Sequence, residues 1–270
     1  MNANKMLWEK GDFTKIAETM RESGAKLVSE LGITKNQYIL DLGCGDGTTA
    51  IPEAKLGAKV LGIDIAENLV KAGNKQAAAA QLTNCRFEEG DACALVNCAD
   101  DSFDMVVSIF GAMFAPKPYD VAKEMVRVTK PGGKIVMGNW IPGDPTLVAQ
   151  ILKICAAYMP PPPEGFISPM LWGVTDEVNK RFIEAGIKPE NINCLKDSFT
   201  FSAPYPPAAF VKVFRNYYGP TMNAFEAADK NGKAAALQAE LETLFNNQNQ
   251  SGDSNTTEIT AVYLKVTVYK

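Results

Sequence analysis

The stretch ILDLGCGDGTTA at residues 39–50 limits the fold more than any other part of the chain. An apolar strand runs without a break into glycines at every second position, Gly43, Gly45 and Gly47, and Thr48 then opens a helix that Gly57 ends. Glycine adopts backbone conformations closed to other residues and leaves room for close approach, so this loop must lie against a ligand or a neighbouring element. A strand that turns through such a loop into a helix is the first half of a strand–helix–strand unit.

The pattern repeats downstream. Residues 59–63 form a second strand ending at Asp64, and an alanine-rich helix follows over 66–81. A short third strand is expected at 85–87, and a nearly continuous apolar strand, FDMVVSI, at 103–109. Such a strand is covered on both faces. A helix over 119–128 must stop before Pro131, and a fifth strand occupies 134–140. Strands alternating with helices predict an α/β, Rossmann-like, doubly wound and mostly parallel sheet. A helix over 14–31 precedes it.

After Trp140 the alternation ends. Prolines crowd residues 141–173, and MPPPPEG reads as an extended spacer beside a short helix near 148–158. Further helical stretches lie at 175–185, 207–217 and 221–245, and a polar loop at 246–257. The chain closes on ITAVYLKVTVYK, where Val262, Leu264, Val266 and Val268 share one face at period two.

Composition narrows the chemistry. The net charge is −4, which favours neither nucleic acid nor an anionic membrane surface as partner. No apolar run is long enough to span a bilayer, and the start, MNANK, lacks the apolar core of a signal peptide, so a cytoplasmic protein is expected. Six cysteines are scattered without a CxxC pair, which predicts reduced thiols and no metal site. There is no histidine, so any chemistry proceeds without an imidazole base or ligand.

The glycine spacing separates ligand classes. A dinucleotide loop reads G-x-G-x-x-G, but the third position counted from Gly43 is Thr48. The loop still leads into a helix, and the next strand still ends in an acid, Asp64, 21 residues beyond Gly43. A carboxylate there accepts hydrogen bonds from both hydroxyls of a ribose. A ribose-bearing ligand is expected and a pyrophosphate is not, which counts against a nicotinamide-dependent oxidoreductase.

In order, ILDLGCGDG, VLGIDIAENLV, EEGDA, FDMVVSIFGAMFAPKP and RVTKPGGKIVMGNW resemble the motifs of class I S-adenosylmethionine-dependent methyltransferases. The subgroup they are most similar to is methyltransferase type 11, related to the quinone-biosynthesis methyltransferases. The resemblance covers residues 36–142 and extends to WEKGDF, PPPP, LWG and FRNYYGP. It implies one domain over 1–270, with its core at about 36–142 and 186–270, an N-terminal helical lid over 1–35, and substrate-side insertions at about 143–185 and 204–245. It also implies seven strands, with the alternating C-terminal strand antiparallel at the edge.

By the same resemblance S-adenosyl-L-methionine is the cofactor and a small molecule the methyl acceptor. Gly43 and Gly45, with the backbone of Cys44, would carry its methionine and ribose portions. Asp41 either orients the loop or meets the ligand's ammonium group. Asp64 would hold the ribose, the alternative being a cap for the following helix. Ile65 would pack on the adenine; Asp91 and the Ala92 N–H would bond its edge, unless Asp91 is only a turn acid. Ser108, Ile109 and Phe110 would lie beneath the ligand. Met113 and Phe114 either wall the pocket or belong to the core. Trp8 and Phe13 either close over the site or anchor the first helix; Arg215, Tyr217 and Tyr218 either face the acceptor or pack a helix. Glu124, Tyr217 and Tyr218 are the candidate bases. An arsenite methyltransferase would need gathered thiols, and a protein that binds the cofactor without catalysis is the remaining alternative.

Overall fold

A computed structural model describes residues 3–270. Seven strands form one sheet: β1 (Tyr38–Leu42), β2 (Lys59–Asp64), β3 (Cys85–Glu89), β4 (Phe103–Ile109), β5 (Thr129–Trp140), β6 (Ile192–Ala203) and β7 (Thr257–Tyr269). Their order is β3-β2-β1-β4-β5-β7-β6. The five strands from β1 to β5 pair in parallel, and β7 runs antiparallel to both β5 and β6. The centre is apolar on both faces: Ile39, Leu40 and Leu42 of β1 and Met105, Val106 and Val107 of β4 are fully buried.

The helices are α1 (Ala3–Glu9), α2 (Thr14–Ala17), α3 (Arg21–Ser29), α4 (Ala50–Lys55), α5 (Glu67–Ala79), α6 (Pro118–Val128), α7 (Leu147–Ala156), α8 (Thr175–Glu184), α9 (Pro207–Tyr217), α10 (Gly219–Lys230) and α11 (Ala234–Gln248). In α6, Val121, Ala122, Met125 and Val128 recur at helical spacing and are buried, so the helix seats on the sheet by one stripe.

Three departures from expectation have physical causes. The C-terminal strand is not at the edge: β7 is paired along both sides, and β6 takes the edge. Alternation reports which face of a strand is buried, not whether its flanks are paired. The stretch 221–245 is two helices, because Gly232 adopts φ +65° and the Lys233 N–H closes back on the Ala228 carbonyl at 2.8 Å, ending α10. The opening helix is likewise interrupted, by a 3₁₀ turn at Glu18–Met20.

Strand order reverses between β1 and β4, and two glycines meet there. Gly43, at φ +68°, lies so close to Gly111 that an added side-chain carbon would come within 2.7 Å of the Gly111 Cα. A carbon added to Gly111 would strike the Gly43 carbonyl oxygen. Ser108 ties the same seam, its hydroxyl donating to the Leu42 carbonyl (2.6 Å) and accepting from the Ala112 N–H (3.0 Å).

Beneath the loop two acids are buried together. Asp41 accepts a short hydrogen bond from the Thr49 hydroxyl, and its other oxygen has no partner. Glu53 on α4 is fully buried with neither oxygen hydrogen-bonded. Burial, with the Asp64 charge adding, pushes the Asp41 carboxyl up to about 7. Burial, reinforced by the nearby Asp41 charge, raises Glu53 well above the ordinary glutamate value.

Two outcomes follow. Gly111→Ala must open the seam and is expected to destabilise the fold by about 1–3 kcal/mol in urea unfolding, as overpacking does; an unchanged midpoint would contradict the contact. Because Asp41 and Glu53 hold protons more tightly folded than unfolded, their contribution is complete below the ordinary carboxylate range and is lost as pH rises through the folded values. Glu53→Gln is therefore expected to raise the thermal midpoint more at about pH 8 than at about pH 5. An equal shift at both would refute the assignment.

Candidate functional site

The cavity lies beyond the carboxyl ends of the parallel strands, beside the β1/β4 reversal, where open α/β sheets bind ligands. It encloses about 1130 Å³ with its open mouth included. Its two halves differ in chemistry.

The half over β1–β3 is polar and built on backbone. The N–H groups of Gly43 and Cys44 donate to the Ile63 carbonyl (2.7 and 3.2 Å), which fastens the loop to β2. Asp64, at the end of β2, accepts from the N–H groups of Gly45 (2.8 Å) and Ala66 (2.9 Å). A carboxylate has about four acceptor positions, so two remain for a ligand. Burial raises the Asp64 carboxyl above its ordinary value, and those backbone bonds oppose the rise. Gly45, at φ +55°, would meet nothing within 4 Å of an added carbon, so its open side faces space. Asp91 follows β3; one of its oxygens accepts from the Cys93 N–H (2.9 Å), bracing its own turn.

A second layer holds the loop from behind. Arg21 of α3 forms a short ion pair with Asp46 and donates to the Thr48 hydroxyl (3.0 Å). Gln76 of α5 donates to the Asp46 carboxylate (2.7 Å) and carbonyl (2.9 Å). Burial raises the Asp46 carboxyl, and the Arg21 charge works against that rise.

The half over β4–β6 is aromatic. Phe110 adopts φ +61°, an uncommon conformation for a bulky residue, and its ring stacks on Trp140 at 3.7 Å and 11°. Phe199 and Phe201 of β6 and Phe214 of α9 complete the wall. Trp8 of α1 covers it, with its ring 5.9 Å from Phe13, 5.0 Å from Phe114 and 6.0 Å from Tyr218. Although α1 buries none of its residues, it is pinned by an ion pair from Lys5 to Glu89 and by Glu9, which accepts the Glu67 N–H (3.1 Å). Just beyond the helix, Lys10 pairs with Glu226 (2.7 Å).

Of the residues singled out from sequence, Gly43, Cys44, Gly45, Asp64, Ile65, Asp91, Ala92, Ile109 and Phe110 line this cavity, as do Trp8, Phe13, Phe114 and Tyr218. Asp41, Ser108, Met113, Arg215 and Tyr217 are not in its lining. Asp41 and Ser108 brace from below, and Met113 is core. Arg215 stands over the Phe225 ring at 4.4 Å and donates to Gln238 (3.3 Å). Among the candidate bases, Glu124 is engaged by Arg127 and by the Leu95 N–H (2.6 Å), away from the cavity lining. Burial pushes the Tyr218 phenol well above its ordinary value.

Residues that sequence reasoning missed are Gly111, Trp140, Phe199, Phe201 and Phe214 in the lining, and Arg21 and Gln76 behind it. Only the lone Gly111 before a short turn carried a local signal. The described residues contain no group of three or more His, Cys, Asp or Glu able to hold a metal, and no helix long and apolar enough to cross a membrane.

Known proteins share this architecture. A family model described as a methyltransferase domain matches residues 40–137. An uncharacterized protein of Mycobacterium tuberculosis, Rv1403c, is 34% identical over 243 residues, covering 89% of this chain and 86% of its own length. The demethylmenaquinone methyltransferase of Renibacterium salmoninarum is 36% identical over 114 residues, 42% of this chain and 46% of that protein. The phosphoethanolamine N-methyltransferase 2 of Haemonchus contortus, solved with phosphomonomethylethanolamine and S-adenosylhomocysteine, superposes with a TM-score of 0.60 at 14% identity, over 99% of this chain and 60% of that one. With the sheet order and the ordered motifs, these likenesses place the chain in the type 11 methyltransferases, an S-adenosylmethionine-dependent family of class I fold.

Proposed function

We propose that this protein transfers a methyl group from S-adenosylmethionine to a small-molecule acceptor held in the aromatic half of the cavity, within a single domain. The observation that carries this reading is the shape of the β1–β3 half: a loop whose Gly45 faces open space, flanked by acids at the ends of β2 and β3. That arrangement fits an adenosyl ligand with a short amino-acid tail. The Haemonchus neighbour, solved with S-adenosylhomocysteine, adds support.

In this reading Asp64 uses its two spare acceptor positions on the ribose hydroxyls, and Ile65 packs on the adenine. Asp91 and the Ala92 N–H meet the base edge. The loop from Gly43 to Gly45 carries the tail. Ser108 and Asp41 hold the loop and strand ends in place rather than touching ligand. Bound S-adenosylmethionine supplies a methyl group already activated for in-line displacement, so positioning carries much of the barrier. Among the described residues the aromatic half of the lining holds no carboxylate, lysine or arginine, and Tyr218 stays protonated at neutral pH. The protein's part is alignment and exclusion of water.

Calorimetry with S-adenosylhomocysteine, S-adenosylmethionine and NAD tests the donor. Both sulfur ligands are expected to bind and NAD is not; the reverse pattern would sink the reading. Asp64→Asn is expected to weaken S-adenosylhomocysteine about ten- to a hundredfold, the loss of hydrogen bonds to a charged group. Unchanged affinity would remove Asp64 from the ribose. Labelled-methyl transfer to a panel of phenols, thiols and amines separates an enzyme from a protein that only binds the cofactor.

A further inference from the structure

The acceptor half of the cavity carries its own chemical signature. We propose that the methyl acceptor is a molecule whose body, beyond the reacting atom, is uncharged and largely apolar; this rests on the methyl-donor reading above. Among the described residues, the ionisable ones of the lining are Cys44, Asp46, Asp64, Asp91 and Tyr218. None is cationic, and the three carboxylates all belong to the β1–β3 half.

An anionic body would therefore leave water for a wall of rings with no positive partner. Burying an unpaired charge is far more costly than burying apolar surface. A cationic body fares no better. Aromatic walls bind cations through open ring faces, and the stack of Phe110 on Trp140 at 3.7 Å takes one face of each of these rings. Phe214 is likewise taken up by edge contacts with Phe210, Phe245 and Tyr218. The charge of Asp46 is already paired with Arg21, and Asp64 belongs to the β1–β3 half, where it accepts from the Gly45 N–H. A cation would also sit beside the positive sulfonium of the donor, and like charges repel strongly where water is excluded. What the wall does favour is apolar contact: Val148, Phe199 and Phe201 offer only carbon, and Tyr218 supplies the hydroxyl of this half.

Charge on the body can be varied at constant size and constant reacting group. The full chain, saturated with S-adenosylhomocysteine, is titrated in a calorimeter at neutral pH with 4-ethylphenol, 4-hydroxybenzoate and tyramine. These differ only in a remote ethyl, carboxylate or ammonium-bearing substituent. The neutral phenol is expected to bind at least tenfold more tightly than either charged congener. A smaller preference, or no binding of any of the three, overturns the proposal. The prior titration with S-adenosylhomocysteine alone reports on the donor reading, so the two failures are distinguishable: no binding of that ligand defeats the donor, and binding without neutral preference defeats only the acceptor class.

Discussion

Backbone against backbone at Gly43 and Gly111 is the contact on which the site depends. It lies where the strand order turns from β2 and β1 to β4 and β5. On the first half the loop follows β1 and Asp64 ends the neighbouring β2; on the second, Phe110 follows β4 and Trp140 ends β5. The seam therefore sets the distance between the two halves. With a side-chain carbon on either residue the loop would lift, and Asp64, which is tied to Gly45 through its N–H, would be drawn out of place with it. The three glycines that opened the question thus have different reasons. Gly43 answers to the protein. Gly47 does as well, since a carbon there would meet Ile51 at 2.7 Å. Gly45 alone answers to open space.

Much of this was legible in the chain. β1, β2, β4 and β5 each carry an apolar run of their own, and the helices between them begin and end at recognisable stops. β6 was not legible, because its first half bears exposed Asn193, Leu195 and Lys196 and shows no buried face. Strand pairing with β7 supplies what local pattern does not. The loop and its acids stood out because they are close in sequence. The aromatic wall did not. Trp140, Phe199, Phe201 and Phe214 look like ordinary core residues until the fold collects them from two strands and a helix. Arg21 and Gln76 escaped for the same reason: charged and amide groups far from the loop in sequence become partners of Asp46 only through packing.

The buried acids show how the glycine loop is braced in a chain that contains no histidine. Asp41 bonds Thr49 at the start of α4, and Arg21 and Gln76 grip Asp46 from two other helices. Networks of this sort are expensive when half-satisfied. Here the expense is visible in Glu53, which is fully buried without a hydrogen-bond partner. Its neutral form is the one the fold accommodates.

The fastening of α1 differs in kind from that of the glycine seam. The helix buries none of its residues and is held by Trp8 and by charges at the surface. Ion pairs in water contribute little and fade as salt rises, whereas the glycine seam is a contact of backbone on backbone with no charge to screen. The cover and the shelf therefore respond to the medium separately. Rising ionic strength loosens the ties of α1, while the backbone contact at the seam stays the same.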